Sequence, residues 1–255
     1  MTSALASTTG QRYRRELQCA RELSVSMGFV TLVFLAVVVV FFAAGGVLQA
    51  VVGGLHADGG WGSVWEYSQQ AMRYYPMSIG VMLVPALMPA YVANGVTRRE
   101  FTVGAVLMIS GIAIGLGVVG AIGFAVEDAI FGWAGHATVY NFPHLFDGPG
   151  DVVAVVAVVG EFALHTSSHM VAGWLIGYTY YRYGGWTGTF LLPLTILPAL
   201  AVEFLLGVSW IGGLLMDHTG YERLALPIVI PAVLATIAAA VLLIYFLTRR
   251  LAIKP

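Results

Sequence analysis

Met27–Val52 reads MGFVTLVFLAVVVVFFAAGGVLQAVV, 26 residues without a charge. A helix that crosses a bilayer needs about 20 mostly apolar residues, so this stretch spans a membrane and the rest of the chain is read with lipid as part of its solvent. The remaining composition agrees. Of 255 residues, 59% are hydrophobic and 10% are charged, where a soluble domain carries about 25% charge. Soluble domains, nucleic-acid binders and disordered chains are excluded on that ground. The expected fold class is an all-α, polytopic membrane protein. The formal net charge of -1 points to neither an acidic nor a basic partner. Cys19 is the only cysteine, so no intramolecular disulfide forms, and it reads as an inert thiol.

Five further segments are long and apolar enough to span: Tyr74–Ala93, Phe101–Val126, Val152–Tyr180, Trp186–Val208 and Leu224–Thr248. Six transmembrane helices put both termini on one side. With that side cytoplasmic, the inner segments hold Arg12, Arg14, Arg15, Arg21, Arg98, Arg99, Arg182, Arg249, Arg250 and Lys254, leaving only Arg73 and Arg223 outside. The outer loops collect Asp58, Glu66, Glu127, Asp128, Asp147, Asp151, Asp217 and Glu222. The excess of Lys and Arg in inner loops sets the orientation with cytoplasmic N- and C-termini. The expected organisation is a cytoplasmic amphipathic segment over 1–26, a six-helix transmembrane domain over 27–248 and a cytoplasmic tail over 249–255. The polar first 26 residues and the long apolar run after them do not fit a signal peptide.

Outside the spans, two segments are expected to be helical. In Gln11–Ser26, Tyr13, Leu17, Ala20 and Ser24 share one face opposite several arginines, which suits a helix lying at the cytoplasmic interface. Ser209–Arg223 carries Trp210, Ile211, Leu214, Leu215 and Met216, which suits a short interfacial or re-entrant helix. The inner connection Asn94–Phe101 places Thr97 to cap a helix that opens with Arg98, Arg99 and Glu100. Two arginines there are explained by topology alone. Pro76, Pro85 and Pro89, then Pro193 and Pro198, then Pro227 and Pro231 favour kinks in three spans. Gly104, Gly111, Gly115, Gly117, Gly120 and Gly123 give the third span a small-residue face suited to close packing.

The fourth span holds the unusual residues. Glu161, His165 and His169 recur every four positions and stay near one helix face, with Thr166, Ser167 and Ser168 between the histidines. Ionisable groups at membrane depth are costly and face a bundle interior or a water cavity. They read either as a substrate, proton or metal site, or as a local Glu161–His165 pair with His169 bonded to a neighbouring helix. One helix face seldom completes a coordination sphere, so no metal site is expected. Glu203 in the fifth span lines a cavity, pairs across helices or snorkels outward. No phosphate-binding GxxxxGK[ST] loop, GxSxG or HExxH motif occurs, so the chain is not expected to be an enzyme.

Two stretches carry a resemblance. Ala93-Asn94-Gly95-Val96-Thr97-Arg98-Arg99-Glu100-Phe101 resembles the segment between spans 2 and 3 of many bacterial type-2 ABC transporter permeases. Gly173–Gly177 running to Tyr181–Trp186 is similar to the end of span 4 in actinobacterial members. The resemblance implies a permease in the bacterial plasma membrane, paired with a cytoplasmic ABC ATPase subunit and with a second permease copy or paralogue. It implies no cofactor in this chain, with ATP and Mg held by the ATPase. Asn94, Gly95, Val96, Thr97, Arg98, Arg99, Glu100 and Phe101 would form the coupling helix, Gln11–Ser26 an elbow helix, and Ser209–Arg223 a re-entrant element. The implied function is export of a hydrophobic or amphipathic compound. Two alternatives stay open: an ion-coupled secondary transporter using the Glu161, His165 and His169 face, and a non-transporting membrane immunity or assembly factor.

Overall fold

Helix α1 runs from Thr2 to Val52 in the computed structural model, which describes residues 2–52, 61–146, 150–249 and 251–252, with the side chains of 2–12 left aside. No separate interfacial helix precedes the first span: 11–26 continues directly into it. The buried stripe also differs from the expected one. Glu16, Cys19, Leu23 and Met27 point inward, while Tyr13 and Leu17 are exposed. The reason is packing, because Gly104 leaves a hollow on the next long helix that Cys19 and Ala20 fill. Arg12, Asp58, Asp147, Arg250 and Lys254 of the charge argument lie outside the described residues or side chains.

The second span is assembled from pieces: α2 (Val64–Ser68), α3 (Gln70–Tyr74), α4 (Pro76–Met82), a π-helical turn over Leu83–Leu87 and α5 (Met88–Ala93). Prolines account for the breaks from Pro76 onward. Pro76 opens α4, Pro89 sits in the first turn of α5, and Pro85 lies within the wider π turn, which suits a residue that cannot donate to the α-helical ladder. Helix α6 spans Arg98–Trp133. Two short strands, β1 (Trp61–Gly62) and β2 (Thr138–Val139), pair in parallel and tie the segment before α2 to the one after α6.

Helix α7 (Val152–Thr195), α8 (Leu197–Leu206), α9 (Ser209–Thr219) and α10 (Leu226–Arg249) complete the chain. Among the described residues, five stretches are long and apolar enough to cross a membrane, and the fourth covers 55 residues. That stretch does not run straight. Gly184 has φ 82° and ψ 179°, a region essentially reserved for glycine, and the chain folds back there. Gly188 touches Tyr180, and the Tyr180 hydroxyl lies 2.9 Å from Thr189 Oγ1. The expected turn over 181–185 is therefore this single sharp bend. The expected short helix after the fifth span is α9, seated where Gly207 turns left-handed at the end of α8.

The bundle is closed most tightly where α4 meets α7. Methyl groups on Gly80, Gly173 and Gly177 would strike the backbone of Met170, Met77 and Val81, so the two backbones touch. Gly104, Gly117, Gly120 and Gly123 of α6 are also packed against neighbours, but Gly111 and Gly115 face open space. Outside, large apolar side chains such as Phe41, Trp186 and Phe190 are exposed. A surface of this kind is the inverse of a soluble protein's, and the chain is an all-α, multi-pass membrane protein.

Candidate functional site

Buried charge gathers at two adjoining clusters between α3, α7 and α8. In the first, α3 delivers Arg73 onto Glu161 of α7, an ion pair with both side chains fully buried. Arg73 also donates from Nε to Gln69 Oε1 at 2.8 Å and stacks 4.3 Å above the Phe162 ring. Glu161 does not pair with His165, as a local reading of span 4 expected. Instead it accepts from the Leu145 amide at 2.8 Å and lies 3.0 Å from His144 Nδ1. The other His144 nitrogen is 3.1 Å from Glu66 Oε1. Glu66 in turn accepts from the amides of Asn141 and Phe142 at 2.7 Å each.

The electrostatics of this cluster close on themselves. Both ring nitrogens of His144 face carboxylate oxygens, so both bonds are made only by the doubly protonated ring. Burial pushes the His144 imidazole down, but its hydrogen bonds to Glu161 and Glu66 outweigh that, and the net direction is up. Two cations, Arg73 and His144, thus offset two anions, Glu66 and Glu161. A neighbouring carboxylate, Glu127, is held separately by the Ser63 hydroxyl and the Trp65 amide, the latter at 2.7 Å. Arg73 is not exposed in an outer loop, as its position in the sequence suggested. Arg223, the other arginine expected outside, donates to the carbonyls of His144 and Leu206 at 3.2 Å. Both exceptions to the charge asymmetry are structural cations of this region.

The second cluster forms one turn further along α7. His165 Nε2 lies 2.7 Å from Glu203 Oε1, and His169 Nε2 lies 3.5 Å from the same oxygen. The fold back at Gly184 produces this meeting, since Gly184 sits midway in sequence between His165 and Glu203. The two imidazoles stack with centroids 4.3 Å apart and planes 20° apart. Ser209, the first residue of α9, donates to Glu203 Oε2 at 3.1 Å and lies 3.3 Å from the Tyr74 hydroxyl. The Tyr74 ring packs edge-on to both histidines. Glu203 therefore pairs across helices and does not snorkel.

The expected polar face of span 4 is divided. Glu161 belongs to the neutral cluster with Arg73, while His165 and His169 belong with Glu203. The reason no metal site was expected, too few donors on one helix, does not hold once α8 supplies Glu203. Glu66, Arg73, His144, Ser209 and Tyr74 were not singled out as site residues from the sequence. The available signal was Arg73 standing next to a span on the side otherwise poor in cations.

The segment 94–101 lies apart from both clusters. Gly95 turns at φ 86°, and Thr97 and Glu100 form a reciprocal capping box, with the Glu100 amide donating to Thr97 Oγ1 at 3.2 Å and the Thr97 amide to Glu100 Oε2 at 2.8 Å. Val96 is half-buried, Phe101 is buried and meets Tyr91 edge-on, and Arg99 Nη2 lies 3.7 Å from Glu16 Oε1 on α1. The connection is thus a short, pinned turn that presents Asn94, Gly95 and Arg99 at the surface. No family model, curated protein or solved structure matches this chain.

Proposed function

We propose that the chain is the membrane-spanning permease subunit of an ATP-driven ABC transporter in a bacterial plasma membrane, an exporter of a hydrophobic or amphipathic compound. The observation that carries the reading is the pinned turn 94–101. Transmission of motion from a partner requires a contact that moves as a body with the spans behind it. The capping box, the buried Phe101 and the contact of Arg99 with α1 couple this turn to α1, α5 and α6 at once. The short helix α9 before the last span agrees with the same reading, as does a fourth apolar stretch folded in two at Gly184, which would give six crossings with both termini inside. Nucleotide binding in a separate ATPase, with its ATP and Mg, would favour one arrangement of two permease copies over another.

The experiment is a mild-detergent purification of the tagged chain from its own host, with identification of co-purifying proteins and an ATPase assay. An ATPase subunit in stoichiometric amount is expected, and Arg98→Ala/Arg99→Ala is expected to lower its recovery or uncouple its hydrolysis. Alanine is preferred to glutamate at position 99, because a second anion beside Glu16 would disturb α1 as well. A chain that purifies alone, with no nucleotide-dependent activity, overturns the permease reading.

A further inference from the structure

We propose that His165, His169 and Glu203 form a binding site for a single divalent transition-metal cation of the zinc type, held between α7 and α8 inside the bundle. This goes beyond the permease reading and does not depend on an ATPase.

Donor directions carry the argument. His169 Nδ1 lies 2.9 Å from the His165 carbonyl oxygen. A carbonyl only accepts, so Nδ1 holds the hydrogen and a neutral His169 ring keeps its lone pair on Nε2. That lone pair faces Glu203 Oε1, itself an acceptor, at 3.5 Å. Two acceptors aimed at one another in a buried site require a cation between them. Arg73 is already committed to Glu161, and among the described residues Glu203 has no arginine or lysine partner, only His165 and His169.

The geometry also fits a metal. One donor atom from each of His165, His169 and Glu203 lies within 4.8 Å of the others. With metal–ligand distances of about 2.0–2.1 Å, the edge of a tetrahedral site is about 3.3 Å. The His169–Glu203 separation is already near that length, and the 2.7 Å His165–Glu203 separation has to open by about 0.6 Å to reach it. Spacing of four on one helix turns both imidazoles toward the same point, and their stacked rings keep them there. Two imidazoles and one carboxylate suit zinc, cobalt or iron, whereas magnesium and calcium demand oxygen ligands.

The surroundings are those of a ligand set that is oriented from behind. His169 donates its remote nitrogen to a backbone carbonyl, and Ser209 holds the second Glu203 oxygen. Such outer partners fix tautomer and orientation in metal sites. Three protein ligands leave a fourth position, and half-buried Tyr74 packs edge-on to both rings beside it.

The test uses the full chain with a non-histidine tag, purified in detergent and stripped with a chelator. Titration with Co2+ is expected to raise visible ligand-field bands that saturate at one ion per chain and are displaced by Zn2+. His169→Gln and Glu203→Gln are each expected to lose the bands, with affinity for Zn2+ down at least 100-fold in competition with a chromophoric chelator. Ser209→Ala keeps all three ligands and is expected to bind about 10-fold more weakly, so a readout survives if a ligand variant fails to fold. His218→Gln, on the exposed face of α9, is expected to bind as the wild type does. Absence of a one-to-one Co2+ spectrum in the wild type overturns the proposal, as does binding that survives unchanged in both His169→Gln and Glu203→Gln. If neither of those variants folds, Zn2+ affinity unchanged in Ser209→Ala overturns it.

Discussion

At the scale of single residues, the chemistry turns on which buried charges are matched. Arg73, His144, Glu66 and Glu161 neutralise one another, and removal of one member leaves the rest uncompensated away from water. Breaking a buried pair costs about 3–5 kcal/mol, while replacing both members by apolar residues is often neutral or stabilising. Arg73→Ala is therefore expected to lower thermal stability in detergent strongly, and Arg73→Met with Glu161→Leu to recover part of the loss. Recovery would be read from melting temperatures of the two variants measured side by side. The pH dependence follows from His144, whose ordinary value is near about 6.5 and which is raised in the fold by Glu161 and Glu66 against the pull of burial. A raised value means that the stabilisation is fully present below about 6.5 and is lost as pH rises through the shifted value. The wild type should lose melting temperature between pH 6 and pH 9 more steeply than His144→Asn. Parallel curves for the two would show that His144 is not the cation that bridges the carboxylates.

At the scale of elements, three glycine contacts decide how the helices meet. Backbones of α4 and α7 touch through Gly80, Gly173 and Gly177, and this crossing brings α3 and its Arg73 and Tyr74 against α7. An added methyl at Gly177 has no room beside Val81, and overpacking of this kind costs about 1–3 kcal/mol. Gly111 faces open space, where alanine gains about 1 kcal/mol of helix propensity. Gly177→Ala should thus melt lower than the wild type and Gly111→Ala at the same temperature or higher; equal effects would refute the assignment of the crossing. Some of this was legible beforehand. Prolines at 76, 85, 89, 193 and 198 marked the breaks because their missing N–H is a local property. The Gly111/Gly115 spacing was readable too, but spacing does not say which side of α6 has a neighbour. The bend within the fourth apolar stretch was legible to within a few residues, whereas the positive φ that makes it a single-residue reversal at Gly184 was not.

At the scale of the whole molecule, the orientation of the bundle is the open prediction. In a Cys19→Ser background, Asn94→Cys and Ala134→Cys sit at exposed positions on the two ends of α6. A membrane-impermeant thiol reagent added to intact cells should label the variant at 134 and not the one at 94. The opposite pattern would invert the topology and remove the turn 94–101 from reach of a cytoplasmic ATPase. Composition and apolar run length sufficed to determine that the chain is helical and crosses the membrane several times, because lipid leaves the backbone little choice but to bond within each segment. The charge of Glu161 and Glu203 at membrane depth likewise announced that something buried must meet them. Which groups meet them was decided only by the tertiary structure. Arg73 reaches Glu161 across 88 positions, and Glu203 reaches His165 across 38. Partners that far apart are set by the bend at Gly184 and the glycine crossing of α4 with α7, not by any local pattern, so the division into a neutral cluster and a cation-seeking one became visible only with the helices in place.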